Sequence, residues 1–541
     1  MGIKWRQSAA RRPALVAGAA LVAAATLGIG TTTVAFAAPR PAHPAAVHHG
    51  VVSKLAAEAA GGPEIKLLAA QREIEAPKFG KGEVFLDPGI WLASLRSALQ
   101  INVSRASYSK PEKATDVIRT ADGIVYRPLP SWVMAHWNGL RHFLQVTVRN
   151  SRGRVVGHSD LTFCPDTGFG LAKATPNSAS TDPYPQQCSS FDPFPVSEVW
   201  GLSRGWAADT VGFVGYHLGL GTFKLTATIR PAYQHLFHIA RHNATATVKV
   251  KVVSSKQCCG PDGCCLEATK VAPLPAGFSK VQKHRGPAAR HGAPSLPATK
   301  ILKTVPKDAL PDLIPLPSWG ISVSNAKKTK TSFLDFGATV WIGGNSPLDV
   351  EGFRIIGTNK MRAYQYFYKD GTKLIGRMRV GSMGFSEYNA WHFNQFAQYL
   401  LLNKHKKVVV RSRKVGFCIA PTDNIDMLAR HATWVPTYTG ISGNCGDPSA
   451  LWATEILPIG WGDTYIQTVP FQSFDVTKIP DGTYYIEIIA NPEHLLHETN
   501  RANDISLRKV IIRGTAGHRT VRVPAFHGID PENGKGGGFF F

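Results

Sequence analysis

Two stretches of the chain alternate apolar and polar residues with a period of two and break at a polar turn. They read FLQVTVRNSRGRVVG at 143–157 and AQYLLLNKHKKVVVR at 397–411, and each predicts a β-hairpin. Further along, GLGTFKLTATI at 219–229 and IPDGTYYIEII at 479–489 each predict a Gly-Thr turn leading into a strand. Short strands with turn signals, and no sustained heptad, predict a mainly β fold built as two β-sandwich-like domains.

The two halves also correspond to each other in order. Phe163-Cys164 matches Phe417-Cys418, and the tryptophans Trp137 and Trp391 precede those cysteines at the same distance without a gap. Val155-Val156 falls on Val409-Val410, Gly205-Trp206 on Gly460-Trp461, and Asp209-Thr210 on Asp463-Thr464. Ordered matches of this kind indicate an internal repeat. The segments expected are a signal at 1–37, a disordered leader at 38–79 and a first domain at 80–255. A cysteine-containing basic Pro/Ala-rich linker at 256–308, a second domain at 309–515 and a tail at 516–541 follow.

The N-terminus changes the picture of where the protein works. Lys4, Arg6, Arg11 and Arg12 precede an apolar run from Ala14 to Ile29, which ends at Ala35-Phe36-Ala37. This is the pattern of a cleaved export signal; an uncleaved anchor is the rival reading. No other run is long enough to span a bilayer, so a secreted or cell-surface protein is expected. Charge adds a partner class. Of 541 residues 61 are Lys or Arg and 37 are Asp or Glu, a formal net charge of +24, which draws the chain to polyanions. An acidic cell-surface polymer or protein is expected, and no specific nucleic-acid motif is found. With 44% hydrophobic residues the chain is not wholly disordered.

The eight cysteines fall into Cys164 with Cys188, Cys418 with Cys445, and the cluster Cys258-Cys259 with Cys264-Cys265. An even count behind an export signal reads as disulfides. The cluster is read as a disulfide-tied knot, with zinc as the alternative; whether it pairs within or between chains is left open.

Residues 309–515 resemble the catalytic domain of the lysyl oxidase family. The motifs that carry this are LPDLIPLPSWGISV, MRAYQYFYKDGT, AWHFNQFAQYLL, KVGFC, GWGDTY, PDGTYYIEI and NPEHLLHETNRANDI, in that order. The resemblance implies a β-sandwich oxidase using copper and a lysyl-tyrosylquinone. Such an enzyme turns primary amines into aldehydes with oxygen and releases ammonia and hydrogen peroxide. It assigns Lys414 as the cross-linking lysine and Tyr465 as the tyrosine, which together form the catalytic quinone.

The family's copper motif carries three histidines two residues apart, so that all three share one strand face. Here those positions are Tyr388, Ala390 and His392. Only His392 is a good ligand, Tyr388 is a poor one and Ala390 has no donor. His431, His494 or His497 would have to replace the lost imidazoles. In the first half the same positions are Met134, His136 and Asn138, with Asp160 for the lysine and Val211 for the tyrosine. The resemblance also implies calcium held by Asp312, the Leu313 carbonyl, Glu498, Asn500, Asn503 and Asp504. An acidic turn satisfied by backbone N–H groups is the alternative.

Two functions follow. The favoured one is an exported lysyl-oxidase-like protein with a degraded copper site and a binding or structural role at the cell surface. The other is a working amine oxidase acting on a primary amine. A binder acting through charge alone is the third reading, and it would lose its partner in salt.

Overall fold

The computed structural model describes residues 62–165, 170–185, 187–188, 190–254, 300–385, 390–435 and 445–533, with backbone alone at 259–260 and 263–264. The expected signal, Tyr388, Cys258, Cys265 and the Phe539–Phe541 tail lie outside these residues. Among the described residues no helix is long and apolar enough to cross a membrane. The protein is mainly β, with one short α-helix among the described residues, Pro231–Leu236.

Both expected hairpins form. Leu140–Asn150 pairs with Val155–Phe163, and Ala397–Asn403 pairs with Val408–Arg411. Their turns share one chemistry. The Asn150 Oδ1 accepts the N–H groups of Arg152 and Arg154, both at 3.0 Å. The Asn403 Oδ1 accepts those of His405 at 2.9 Å and Lys407 at 3.1 Å. The left-handed position of each turn is filled by Gly153 (φ 75°) and Lys406 (φ 61°). These turns correspond one residue away from the gapless alignment set by Trp137 and Trp391. The bulge in each hairpin leaves Val156 opposite nothing in one and Val409 opposite nothing in the other.

Each hairpin lies in a five-stranded sheet. The first runs Glu73–Lys78, Thr245–Ser254, Gly221–Ile229, Leu140–Asn150, Val155–Phe163, and the second His518–Arg522, Ile505–Thr515, Gly482–Ala490, Ala397–Asn403, Val408–Arg411. Alternate burial along Thr245–Ser254 and Gly482–Ala490 shows one face on a core and one towards solvent. Each lobe has its own core, one around Trp137, Phe143 and Trp200, the other around Phe336, Trp391 and Phe417.

The expected boundaries need two corrections. The leader was expected to reach residue 79, yet Ile65–Ala69 pairs with Ile90–Ser94 and Glu73–Lys78 pairs in parallel with Thr245–Ser254. Both partners are distant in sequence, so no local pattern announces them. The tail was expected to start at 516, yet His518–Arg522 completes the second lobe's sheet, and Phe526 packs edge-on against Phe194 at 5.5 Å.

The lobes are not separate beads. The described residues of both lobes fall in one compact unit. The Val196 and Ser197 N–H groups both donate to the Ile425 carbonyl, and the Met427 N–H donates back to the Ser197 carbonyl at 3.1 Å. Tyr184 of the first lobe stacks on Trp434 of the second at 5.7 Å. A third apolar cluster joins Phe194 to Leu316, Trp319, Trp341 and Ile425. This interface borders the strand that ends at Tyr465.

Candidate functional site

Tyr465 closes the strand Trp461–Tyr465, which pairs with Thr331–Gly344 so that Tyr465 lies opposite Ala338. Its hydroxyl accepts the Cys418 N–H at 2.9 Å and donates to the Cys418 carbonyl at 3.1 Å. Phe417 meets its ring edge-on at 5.2 Å. Burial holds the Tyr465 hydroxyl protonated well above its usual range, and the carboxyls of Asp463 and Glu455 act the same way.

Lys414 sits on the loop between Val408–Arg411 and Gly416–Phe417. It is buried, with 7% exposure. Its ammonium donates to the Gly416 carbonyl at 3.2 Å and lies over the Tyr465 ring, 4.1 Å from the centroid. Desolvation pulls its pKa down to about 8, against the pull of Asp463 in the other direction. At pH 7 this amine is therefore mostly charged, with a minor neutral fraction far above that of an ordinary lysine, in contact with the phenol ring. Amine and ring are brought together as the resemblance implies.

His392 belongs to the short strand Trp391–Asn394, which pairs with Gly416–Phe417 and so runs beside Lys414. A Cβ on Gly416 would come within 3.1 Å of the His392 Cβ, so glycine is what allows the histidine strand this close. His392 is buried and its Nδ1 lies 3.0 Å from the Ala390 carbonyl. Desolvation lowers its pKa. The disulfide Cys418–Cys445 fastens the group together, because the Cys445 carbonyl accepts the Trp391 N–H at 2.8 Å.

Two further residues here were given no role by the sequence. Glu455 is fully buried, and its Oε2 accepts the N–H groups of Phe393 at 3.2 Å and Ile419 at 3.3 Å. It thereby ties the histidine strand to the cysteine strand. Asp463, in the GWGDTY motif, faces Lys414, and burial raises its pKa far above the usual carboxylate range.

Copper does not fit the described residues. Among them no three His, Cys, Asp or Glu side chains converge to hold a metal. Ala390 offers no side-chain donor. The His497 backbone N–H bonds the Gln365 Oε1 at 2.8 Å, and its ring lies edge-on against Phe367. His431 packs beside Gly371, and the His494 N–H bonds the Asn491 carbonyl.

The expected calcium residues do come together. The Asn503 amide donates to the Asp312 Oδ2 at 3.0 Å, and the Glu498 carboxylate accepts the Leu313 N–H at 3.3 Å and the Asn491 amide at 2.5 Å. Asn500 caps its own turn by accepting the Ala502 N–H at 3.1 Å. The Asp312 Oδ1, the Asn503 Oδ1 and both Asp504 oxygens are buried without a donor. Burial, together with mutual repulsion, raises Glu498 to about 7 and Asp504 to about 6. Orphaned oxygens of this kind suit a hard cation, although the carboxylates do not converge as a finished site.

In the first lobe the matching positions do other work. Met134 and Val211 are buried in its core, and His136 takes a left-handed turn conformation. Asp160 pairs with Arg230 at 2.6 Å. The disulfide Cys164–Cys188 forms. At the cysteine cluster, Cys259–Gly260 pairs with Gly263–Cys264 in a small hairpin.

Residues 385–520 match the family model for lysyl oxidase. The matched stretch spans His392, Lys414, Cys418 and Tyr465 and lies wholly in the second lobe. No curated protein matches the chain.

Proposed function

From the lysyl oxidase family domain that residues 385–520 carry, we propose an exported protein that keeps this domain as a binding or structural module at the cell surface, with copper catalysis lost. The observation that carries this reading is the strand at His392. Of the three slots where the family places imidazoles, the described part offers one imidazole and one alanine, and the alanine's carbonyl faces the remaining ring. One neutral imidazole does not fix copper in a defined geometry. The acidic cluster at Asp312, Glu498, Asn503 and Asp504 serves as a calcium brace that ties the start of the second lobe to its last turn. Both lobes descend from one repeat unit, and the basic surface supplies attraction to an acidic partner. Copper titration of the full chain followed by metal analysis tests this. The expected result is no tight stoichiometric copper, and one tight copper per chain would overturn it.

One observation favours a second reading, a working primary-amine oxidase. Lys414 and Tyr465 are in contact, and the lysine amine is tuned towards neutrality. A bound quinone would supply an electrophilic carbonyl for a substrate amine. Asp463 would then stand beside Lys414 as a buried, proton-bearing carboxyl, and Glu455 would hold the two strands in register. Peroxide release on adding primary amines, abolished in Lys414→Arg, would establish this reading.

A further inference from the structure

The outer face of one sheet in the second lobe carries a groove that neither reading uses. The strands Trp452–Leu457, Leu348–Arg354, Lys360–Lys369 and Lys373–Phe385 lie side by side, and Trp452, Phe353 and Arg362 occupy one row across them. Trp452 is 50% exposed and Phe353 39%. The groove beside them has a volume of about 260 Å³ and is lined by Phe353, Arg354, Ile355, Arg362, Tyr364 and Arg377. Phe353 meets Tyr364 edge-on at 5.9 Å, and the Arg377 guanidinium covers Tyr364 at 5.4 Å.

Its polar groups divide into two sets. Arg354 is committed to the fold, bonded to the carbonyls of Thr358, Pro448 and Ala450. Arg362 is exposed, and the Arg377 Nε is buried without an acceptor. These two present guanidinium charge beside exposed aromatic rings. Glu351 stands at the rim, accepting the Trp452 indole N–H at 3.0 Å.

We propose that this groove binds one ring of an anionic polysaccharide whose pyranose units carry carboxylates. The proposal rests on the binding reading above for its choice of an anionic partner. A pyranose ring presents apolar C–H faces that lie against aromatic side chains, and its carboxylate takes the forked donors of an arginine. The groove is slightly smaller than the ~300–1,000 Å³ of small-molecule pockets, which suits one ring of a longer chain. Glu351 and the Tyr364 hydroxyl can bond sugar hydroxyls. Polyglutamate has no ring to lie on Trp452.

The test measures binding of the full chain to polygalacturonate, with dextran, polyglutamate and duplex DNA as comparators. The variants are Trp452→Ala and Arg362→Ala, both at exposed positions, with melting curves as a check on folding. The expected result is polygalacturonate binding, none to dextran, and a loss of about tenfold or more in each variant at unchanged Tm. If wild type binds and both variants bind equally, the groove is not the site, while the anionic-partner reading stands. If wild type binds neither polygalacturonate, polyglutamate nor DNA, both fall; if it binds polyglutamate or DNA but not polygalacturonate, only the sugar assignment falls. If DNA or polyglutamate binds more tightly and loses affinity in the same variants, the sugar assignment is wrong.

Discussion

Trp137 and Trp391, paired by the sequence, are each buried under an arginine whose guanidinium carbon is 5.2 Å from the ring, Arg105 for one and Arg354 for the other. Each lobe has a disulfide, an asparagine-capped hairpin and a five-stranded sheet in which the hairpin is followed by two antiparallel strands, but the fifth strand is the parallel Glu73–Lys78 in one and the antiparallel His518–Arg522 in the other. Chemistry divides them. Where the second lobe sets the Lys414 amine on Tyr465, the first has Asp160 paired with Arg230 and Val211 in the core. Packing positions tolerate few changes because each removal leaves a cavity or an orphaned group. Lys414 and Tyr465 are themselves buried, yet the first lobe holds an ion pair and a core valine at the positions the sequence aligns with them, so the scaffold accommodates either set.

The contrast also shows what the first lobe now does. The Phe191 N–H donates to the Asp423 Oδ1 at 2.5 Å, and the other Asp423 oxygen accepts the hydroxyl of Thr464, the neighbour of Tyr465. The first lobe therefore props the strand that carries the tyrosine.

The comparison can be broken most strongly at Phe194, which is fully buried between the lobes. Phe194→Ala is expected to cost about 3–5 kcal/mol in denaturant unfolding and to destabilise both lobes together. Loss from the first lobe alone would show that the lobes fold independently. Next come the disulfides, which span 24 and 27 residues. Removing either pair is expected to cost about 3–3.5 kcal/mol by loop entropy. Only loss of Cys418–Cys445 should loosen Lys414 against Tyr465, read as faster hydrogen exchange at the Cys418 N–H.

A pH series sharpens the view of the shared interface. Burial raises Asp423 to about 6, so the folded state binds more protons than the unfolded one between pH 4 and 6. Stability is then full at low pH and falls as pH rises through that window, by about 2–3 kcal/mol for this group. Asp423→Asn should flatten this part of the stability profile, measured by urea unfolding. The smallest effect is expected from calcium. Saturating calcium should raise Tm by about 2–4 °C through the second lobe, and Asp504→Asn should remove the rise.

Local patterns announced the hairpins, because period-two alternation and asparagine turns need only neighbouring residues. The motif order singled out Lys414 and Tyr465, and the structure places the two in contact. Long-range pairing stayed hidden. Ile65–Ala69 reads as part of an Ala-rich leader and becomes a strand only beside Ile90–Ser94. Glu455 reads as one carboxylate among many, and its role as a clamp between Phe393 and Ile419 exists only in three dimensions. The interface through Phe194 and Ser197 has no repeat signal, because it joins the lobes instead of recurring in each.

The central claim is that the second lobe keeps the lysine–tyrosine pair in contact while lacking the metal that would join it. Peptide mass spectrometry of the full chain, after copper loading in air, measures this directly. The account predicts separate, unmodified Lys414 and Tyr465 peptides alongside an intact Cys418–Cys445 disulfide that certifies folding. A covalent Lys414–Tyr465 cross-link would contradict it and establish the oxidase.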